Sequence, residues 1–136
     1  MPPSTPEFPE PVAEPADKPL AVTAAGLFIA NLTIAPVIAF LVLAWLWHTR
    51  RNSVSSFARN HLAQAFHVSL RGGALLIAVV SALIALGGLS WPWTWVLVVL
   101  YFTFVHSTLV VCGCLALAKA MAGRTYQFPL LGVNHE

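Results

Sequence analysis

Four polar residues recur at helical spacing inside an otherwise apolar chain. They are Asn60, Gln64, His67 and Arg71, which we call the polar stripe. Positions i, i+4, i+7 and i+11 share one face of a helix, and three arginines within residues 50–59 make the local field positive. Such a face attracts anionic lipid headgroups, at about 1 kcal/mol per base, or an acidic partner segment. We therefore predict lipid or partner contact there. The alternative is that the stripe packs against the connector before it and against residues 126–129.

Two more polar residues interrupt the long apolar runs. Asn31 lies in the first run, and His106 lies near the middle of the last run, beside Thr103, Ser107 and Thr108. A histidine at the centre of a bilayer is costly, so we predict an intramembrane polar site at His106 and Asn31. The alternative is that both residues only form hydrogen bonds between helices.

The histidines also raise the question of a haem. In the predicted arrangement of the spans, His67 lies at the membrane surface, whereas His106 lies about 20 Å inside the surface that Lys119 marks. One haem iron needs both of its ligands at the same depth in the membrane, so these two histidines are poor candidates for a shared haem. The chain shows no nucleophile–base set, phosphate-binding loop, dinucleotide fingerprint or metal motif, and we interpret Cys112 and Cys114 as core residues. We predict no cofactor and no enzymatic activity.

Composition places these residues in a membrane protein. Of the 136 residues, 58% are hydrophobic and 9% are charged, whereas a soluble domain carries roughly a quarter charged residues. Residues 1–19 hold most of the prolines and four acids, which predicts a disordered tail. Residues 20–130 are predicted to form a helical membrane domain and residues 131–136 a C-terminal tail. The expected partners are the lipid bilayer and other membrane-protein subunits or further copies of the chain, and no nucleic acid.

The apolar runs predict an all-α integral membrane protein with three transmembrane helices and one interfacial amphipathic helix. The spans cover about residues 24–47, 72–91 and 95–118, and the interfacial helix covers about residues 54–71. Pro36 is expected to kink the first span. We favour one kinked span over a re-entrant pair, because two full spans need about 40 residues. An interfacial helix before residue 72 keeps Arg71 out of the bilayer, where a buried charge is expensive.

Basic residues predict the orientation of the spans. Four arginines lie between the first two spans, and Lys119 and Arg124 follow the third. The positive-inside rule then places the connector and the C-terminus in the cytoplasm and the N-terminus outside. The membrane is predicted to be the bacterial inner (cytoplasmic) membrane, crossed several times by the chain.

The second predicted span carries a face of small residues: Ala74, Ala78, Ala82 and Ala85. Small residues at this spacing let another helix approach closely. We therefore predict that this face packs against a helix of the same chain or of a partner. Three tryptophans in residues 91–95 mark the membrane surface at the turn that follows.

Three short segments resemble a known family. Residues 61–66 (H-L-A-Q-A-F) are similar to the H-x-x-Q-A-[LF] segment of small bacterial membrane proteins of unknown function, which are related to the twenty-kilodalton channel-like subunit of the chloroplast inner-envelope protein translocon. Residues 118–129 resemble that family's ending, which closes in G-x-x-Y-x-[YF]-P, and residues 36–47 resemble its proline-led first span. Four spans are often drawn for the family, whereas this sequence predicts three. The resemblance implies no catalytic residues, and the matching positions are His61, Gln64, Ala65, Gly123, Tyr126 and Pro129.

Three classes of function remain open. The favoured class is a non-enzymatic small integral membrane protein that serves as an accessory, assembly or translocation-type subunit of a membrane complex. The second is a redox membrane subunit that associates with haem or quinone. The third is a small carrier or channel with a polar path through Asn31 and His106. A carrier normally shows paired charges or broken helices at the bilayer midplane, and Pro36 alone is a weak indication of either.

Overall fold

Four helices make up the regular structure of residues 13–133, the part of the chain that the computed structural model describes. They are α1 (Lys18–Thr33), α2 (Pro36–Arg50), α3 (Ser56–Gly87) and α4 (Pro92–Met121). The predicted all-α class is confirmed. Two helices, α3 and α4, are long and apolar enough to cross a membrane, and the three predicted spans are not shown. Most of the predicted disordered tail, residues 1–12, lies outside the described residues.

The first apolar run forms two short helices instead of one kinked span over residues 24–47. Ala35 leaves the helical region at φ −142° and ψ 70°, and Pro36 starts α2. Proline disfavours the helical conformation at the preceding residue, and its ring supplies the fixed φ that a first helical turn accepts. The chain turns back here, so that α2 packs against both α1 and α3 and buries Ala39 and Leu43. With 16 and 15 residues, neither helix reaches the roughly 20 residues of a span.

The predicted interfacial helix and second span are one continuous helix of 32 residues, Ser56–Gly87. Ser55 caps its start, because its hydroxyl accepts a hydrogen bond from the backbone N–H of Ala58 at 3.3 Å. No proline follows before the helix ends, and Gly72 and Gly73 remain helical within it. The predicted boundary at residues 71 and 72 is therefore wrong, since nothing in the chain stops the helix there.

A tight turn joins α3 to α4. Gly88 adopts a positive φ of 72°, which suits glycine, and Pro92 opens α4. A side chain at Gly87 would overlap Thr94, so the glycine lets the two helices approach closely. The indole of Trp95 donates a hydrogen bond to the carbonyl of Leu89 at 2.9 Å and fixes the turn. The helices α3 and α4 then run side by side in opposite directions.

Helix α1 lies at the centre and packs against the other three helices. It runs alongside the first half of α3, because Asp17 contacts Ser55 at one end and Asn31 contacts Ser69 at the other. Gly113 of α4 faces Phe28, where an added Cβ would lie 2.9 Å from the ring. The core gathers apolar side chains from every helix and from the C-terminal residues: Ala24, Phe28, Leu43, Leu62, Ala65, Val68, Cys112, Ala116 and Phe128.

The molecule therefore has two regions of different character. The body comprises residues 13–72 and 109–133, in which α1, α2 and the C-terminal residues surround the first half of α3. The arm comprises residues 73–108, in which α3 and α4 pack side by side and leave most apolar side chains exposed.

Candidate functional site

The polar stripe meets the C-terminal segment, residues 124–133, inside the body. Gln64 is 1% exposed. Its amide nitrogen donates to the carbonyl of Val133 at 2.7 Å, and its amide oxygen accepts from the backbone N–H groups of Phe128 and Val133 at 3.4 and 3.3 Å. A Cβ at Gly132 would lie 2.8 Å from that oxygen, so only glycine fits beside it. One buried side chain thus satisfies three backbone groups of a segment that has no regular structure.

Two other members of the stripe bind the same segment. The side-chain oxygen of Asn60 accepts from the backbone N–H of Tyr126 at 3.4 Å, and Arg71 donates to the carbonyls of Leu131 and Gly132 at 3.1 and 3.2 Å. The ring of His67 packs edge-on against Trp47 and Phe66, with centroids 5.3 and 5.2 Å apart. These contacts agree with the alternative interpretation, in which the stripe packs against the chain's own C-terminal residues. Lipid or partner contact of the stripe stays a prediction.

His61 joins this contact and was not predicted as a site residue. It is buried, and its Nε2 lies 2.9 Å from the carbonyl of Arg124. A carbonyl oxygen only accepts, so Nε2 carries the proton and donates. The sequence did contain a signal, since His61 lies three residues before Gln64 and therefore on a neighbouring part of the same helix face. Both residues belong to the segment that resembles the translocon-related family.

Tyr126 anchors the C-terminal segment from the other side. Its ring lies edge-on to Phe128 with centroids 5.1 Å apart. Burial, together with the neighbouring thiol of Cys112, raises the pKa of Tyr126 to about 12. The phenol is therefore neutral at physiological pH and acts as a packing residue with a polar tip.

Asn31 and His106, the predicted intramembrane polar pair, line one cavity. This cavity of about 610 Å³ lies where the body meets the arm, between the α1–α2 turn and the α3–α4 pair. The amide nitrogen of Asn31 donates to the hydroxyl of Ser69 at 3.3 Å, and Ser69 also lines the cavity. The ring of His106 stacks on Phe102, with centroids 5.2 Å apart and planes 15° apart. The prediction had not included Ser69, whose place beside Asn31 follows only from the packing of α1 against α3.

The rest of the cavity wall is apolar. None of the described residues that line it is charged, and the walls include Phe28, Phe40 and Leu109. Gly72 and Gly73 bring the backbone of α3 to the cavity, and an added Cβ at Gly73 would meet no atom within 4 Å. The cavity is therefore an apolar space with its few polar groups supplied by Asn31, Ser69 and His106.

A second cavity, of about 380 Å³, continues the first along the arm. Leu76, Ile77 and Phe102 line both cavities, which makes the two contiguous. The second cavity extends toward the α3–α4 turn, past Val80 and Val99, and Ser81 is the polar residue among its described lining.

The small-residue face of the arm lies on the exposed side of α3. All four of its members are exposed: Ala74, Ala78, Ala82 and Ala85. Packing of this face against a helix of the same chain or of a partner stays a prediction.

The histidines do not converge with other metal-binding side chains. Within residues 13–133, no three His, Cys, Asp or Glu side chains come together as a possible metal site. His67 packs against Trp47 in the body, whereas His106 stacks on Phe102 at the cavity.

Comparison with known proteins adds no identification. No family model matches the chain, and no curated protein or solved structure matches it.

Proposed function

We propose that this protein is a small, non-enzymatic integral membrane protein of the bacterial inner membrane that serves as an accessory, assembly or translocation-type subunit of a membrane complex. The observation that carries the proposal is the uncovered apolar surface of the arm. Ile77 and Phe104 are 69% and 76% exposed, and their neighbours along both helices are similarly open. A soluble protein rarely exposes a continuous apolar surface of this size, whereas a bilayer covers it.

The distribution of charge supports membrane insertion of the arm. No charged residue occurs from Gly72 to Ala118, and the tryptophans of residues 91–95 lie at the far end of the arm. Within residues 13–133 the charged residues all lie in the body: Lys18, Arg50, Arg51, Arg59, Arg71, Lys119 and Arg124 with Glu14 and Asp17. Helices α3 and α4 thus each cross the bilayer within the uncharged run from Gly72 to Ala118, with the aromatic turn at one surface and the charged residues of the body at the other.

The contacts of α1 support an orientation that differs from the predicted one. The carboxylate of Asp17 accepts from the backbone N–H of Ser55 at 2.7 Å, and Pro15 lies against Gly123. The start of α1, the connector and the end of α4 therefore lie at one end of the molecule. A start of α1 outside the cell with the connector inside does not agree with these contacts. In our proposal all three lie on the cytoplasmic side, which the basic residues favour.

The helix pair α1–α2 then enters the bilayer from the cytoplasmic side without crossing it. Its turn exposes Ile34, Val37 and Ile38, which suits lipid contact. The backbone at the turn meets the demands of an apolar medium, because Ile34 and Ala35 both donate to the carbonyl of Ala30.

The role as a subunit is supported by the exposed alanine face and by the resemblance to the translocon-related family. The motif residues of that resemblance lie together in the body, where His61 contacts Arg124 and Gln64 contacts Phe128. In our proposal these motifs specify the fold of the body, while the arm provides the surface for other subunits.

Cysteine labelling tests the proposed insertion. In a background with Cys112→Ala and Cys114→Ala, single cysteines are introduced as Ala16→Cys, Asn52→Cys and Ser90→Cys. We expect a membrane-impermeant maleimide to reach the first two only from the cytoplasmic side and the third only from the opposite side. Labelling of the first two from opposite sides would restore a single span before residue 48, and recovery of the protein in the soluble fraction would contradict membrane insertion altogether.

A further inference from the structure

The two contiguous cavities have the chemical polarity of a lipid. Polar side chains occur at the end near the α1–α2 turn, where Asn31, Ser69 and His106 line the wall. The other end, toward the α3–α4 turn, is lined by aliphatic side chains and Phe102, with Ser81 as the exception. From Ser69 to Ser81 the distance along α3 is about 18 Å. A ligand of matching shape has a small polar head and a long apolar tail.

The polar end selects an uncharged head. The described lining carries no arginine, lysine or acid, so a phosphate or carboxylate would be buried without a counter-charge. Asparagine and serine are neutral donors and acceptors, and a histidine ring offers two nitrogens for hydrogen bonds, which suits carbonyl or hydroxyl oxygens. His106 forms no hydrogen bond within the described residues, and its ring nitrogens therefore have capacity for a ligand. The volume of about 610 Å³ lies within the usual range of ligand sites.

We propose that this cavity binds an uncharged lipid whose head carries carbonyl oxygens, with the head at Asn31, Ser69 and His106 and the tail along the groove between α3 and α4. The inference rests on the proposed membrane insertion, which brings the side of the groove into the hydrocarbon region where such lipids reside. Isoprenoid quinones and diacylglycerols share this chemistry. Phe102, stacked on His106, offers a flat surface to a ring-shaped head.

Gly73 offers a variant that fills the cavity without disturbing the helix. Its position faces open space, so Gly73→Leu introduces a side chain into the cavity and also improves helix propensity. Ala82→Leu is the matched control, because Ala82 is exposed on the same helix and lines neither cavity. His106→Phe preserves most of the volume and removes the hydrogen-bonding nitrogens.

Native mass spectrometry of the detergent-purified full chain measures binding of three probes: ubiquinone with a two-isoprenoid tail, dioleoylglycerol and dioleoylphosphatidylglycerol. We expect at least one uncharged probe to bind in a 1:1 ratio, with at least tenfold weaker binding to Gly73→Leu, severalfold weaker binding to His106→Phe and unchanged binding to Ala82→Leu. Preference between quinone and diacylglycerol identifies the source of the head group and supports the proposal in either case.

Three results would overturn the inference: no uncharged probe bound, equal binding of phosphatidylglycerol, or equal loss in Gly73→Leu and Ala82→Leu. Thermal unfolding of each variant accompanies the binding measurement, and Gly73→Leu is expected to be at least as stable as the wild type. A chain that labels as a membrane protein with the proposed topology but binds no probe would contradict only this inference. A chain that fails the labelling test would contradict the proposed function itself.

Discussion

The two halves of α3 belong to one helix but have opposite surroundings. In the first half, five consecutive residues, His61 to Ala65, are buried, which requires cover on every side of the helix. In the second half, Ala74, Leu75, Ile77 and Ala78 are all exposed. The first half also holds the polar stripe, whereas the second half carries no charge. The first half of α3 is thus covered by its own chain, whereas the second half leaves most of its apolar side chains exposed.

The polar residues of the two regions have different roles. The segment from residue 124 to residue 133 has no helix or strand to satisfy its backbone, and side chains of α3 supply the missing partners. Gln64 and His61 therefore stabilise the fold of the body by forming hydrogen bonds with this segment. At the junction of body and arm, by contrast, Asn31, Ser69 and His106 line a cavity, and Ser81 lines its continuation along the arm.

Substitution of Gln64 is expected to cause the largest loss of stability in the body. Gln64→Leu leaves the backbone groups of Phe128 and Val133 without their partner. Each unsatisfied buried group costs about 1–3 kcal/mol, and we expect a total loss of about 3 kcal/mol because Val133 is only half-buried. Thermal or denaturant unfolding in detergent measures it. Ser81→Ala, an exposed change in the arm, serves as the control, and a Gln64→Leu protein as stable as this control would show that the contact contributes little.

Two glycine substitutions sharpen the contrast between the regions. Gly132→Ala in the body places a Cβ against the carbonyl of Phe128 and within 2.8 Å of the Gln64 oxygen, and we expect a loss of about 2 kcal/mol. Gly73→Ala in the arm meets no atom, so it should be neutral or stabilise the helix by up to about 1 kcal/mol. The same unfolding measurement applies to both. Equal effects of the two substitutions would contradict the division into a covered body and an uncovered arm.

The alanine face tests what covers the arm. Ala78→Leu combined with Ala82→Leu adds bulk at two exposed positions, so stability of the isolated protein should stay within about 0.5 kcal/mol of the wild type. Association with another subunit or a second copy should weaken at least tenfold, because small residues permit close helix approach. Native electrophoresis of gently solubilised membranes reports the size of the complex. Leu86→Ala, a change on an exposed position nearby, is the control; an unshifted complex in the double variant would exclude this face.

Sequence reasoning predicted the parts of the fold that depend on local pattern. The uncharged run after Gly72, the turn at Gly87 and Gly88, and the long final helix all follow from composition and turn chemistry. It failed where the outcome depends on contacts between distant segments. Pro36 predicts a break in the first apolar run, but such a break fits both a single kinked span and two helices that turn back on each other. Only the packing of α2 against α1 distinguishes the two arrangements.

The candidate sites show the same limit. The spacing of the polar stripe correctly placed its members on one helix, yet whether they face lipid or the chain's own C-terminal residues depends on how that segment folds back. Asn31 and His106 were predicted as a pair from their cost in a membrane. Their arrangement around one cavity, and the addition of Ser69, required the register between α1, α3 and α4.

The smallest expected effect concerns Arg71, at the boundary between body and arm. Arg71→Ala removes two hydrogen bonds to the carbonyls of Leu131 and Gly132, and because the side chain is exposed we expect a loss of about 1 kcal/mol. If the stripe only holds the C-terminal segment, the loss is the same in neutral phosphatidylcholine nanodiscs and in nanodiscs containing phosphatidylglycerol. If Arg71 also binds anionic headgroups, the loss grows by about 1 kcal/mol in the anionic discs and shrinks again at high salt. His67→Ala, combined with Arg71→Ala, tests whether the rest of the stripe adds to that lipid dependence. Since three members of the stripe already bind the chain itself, we expect equal losses in both lipids.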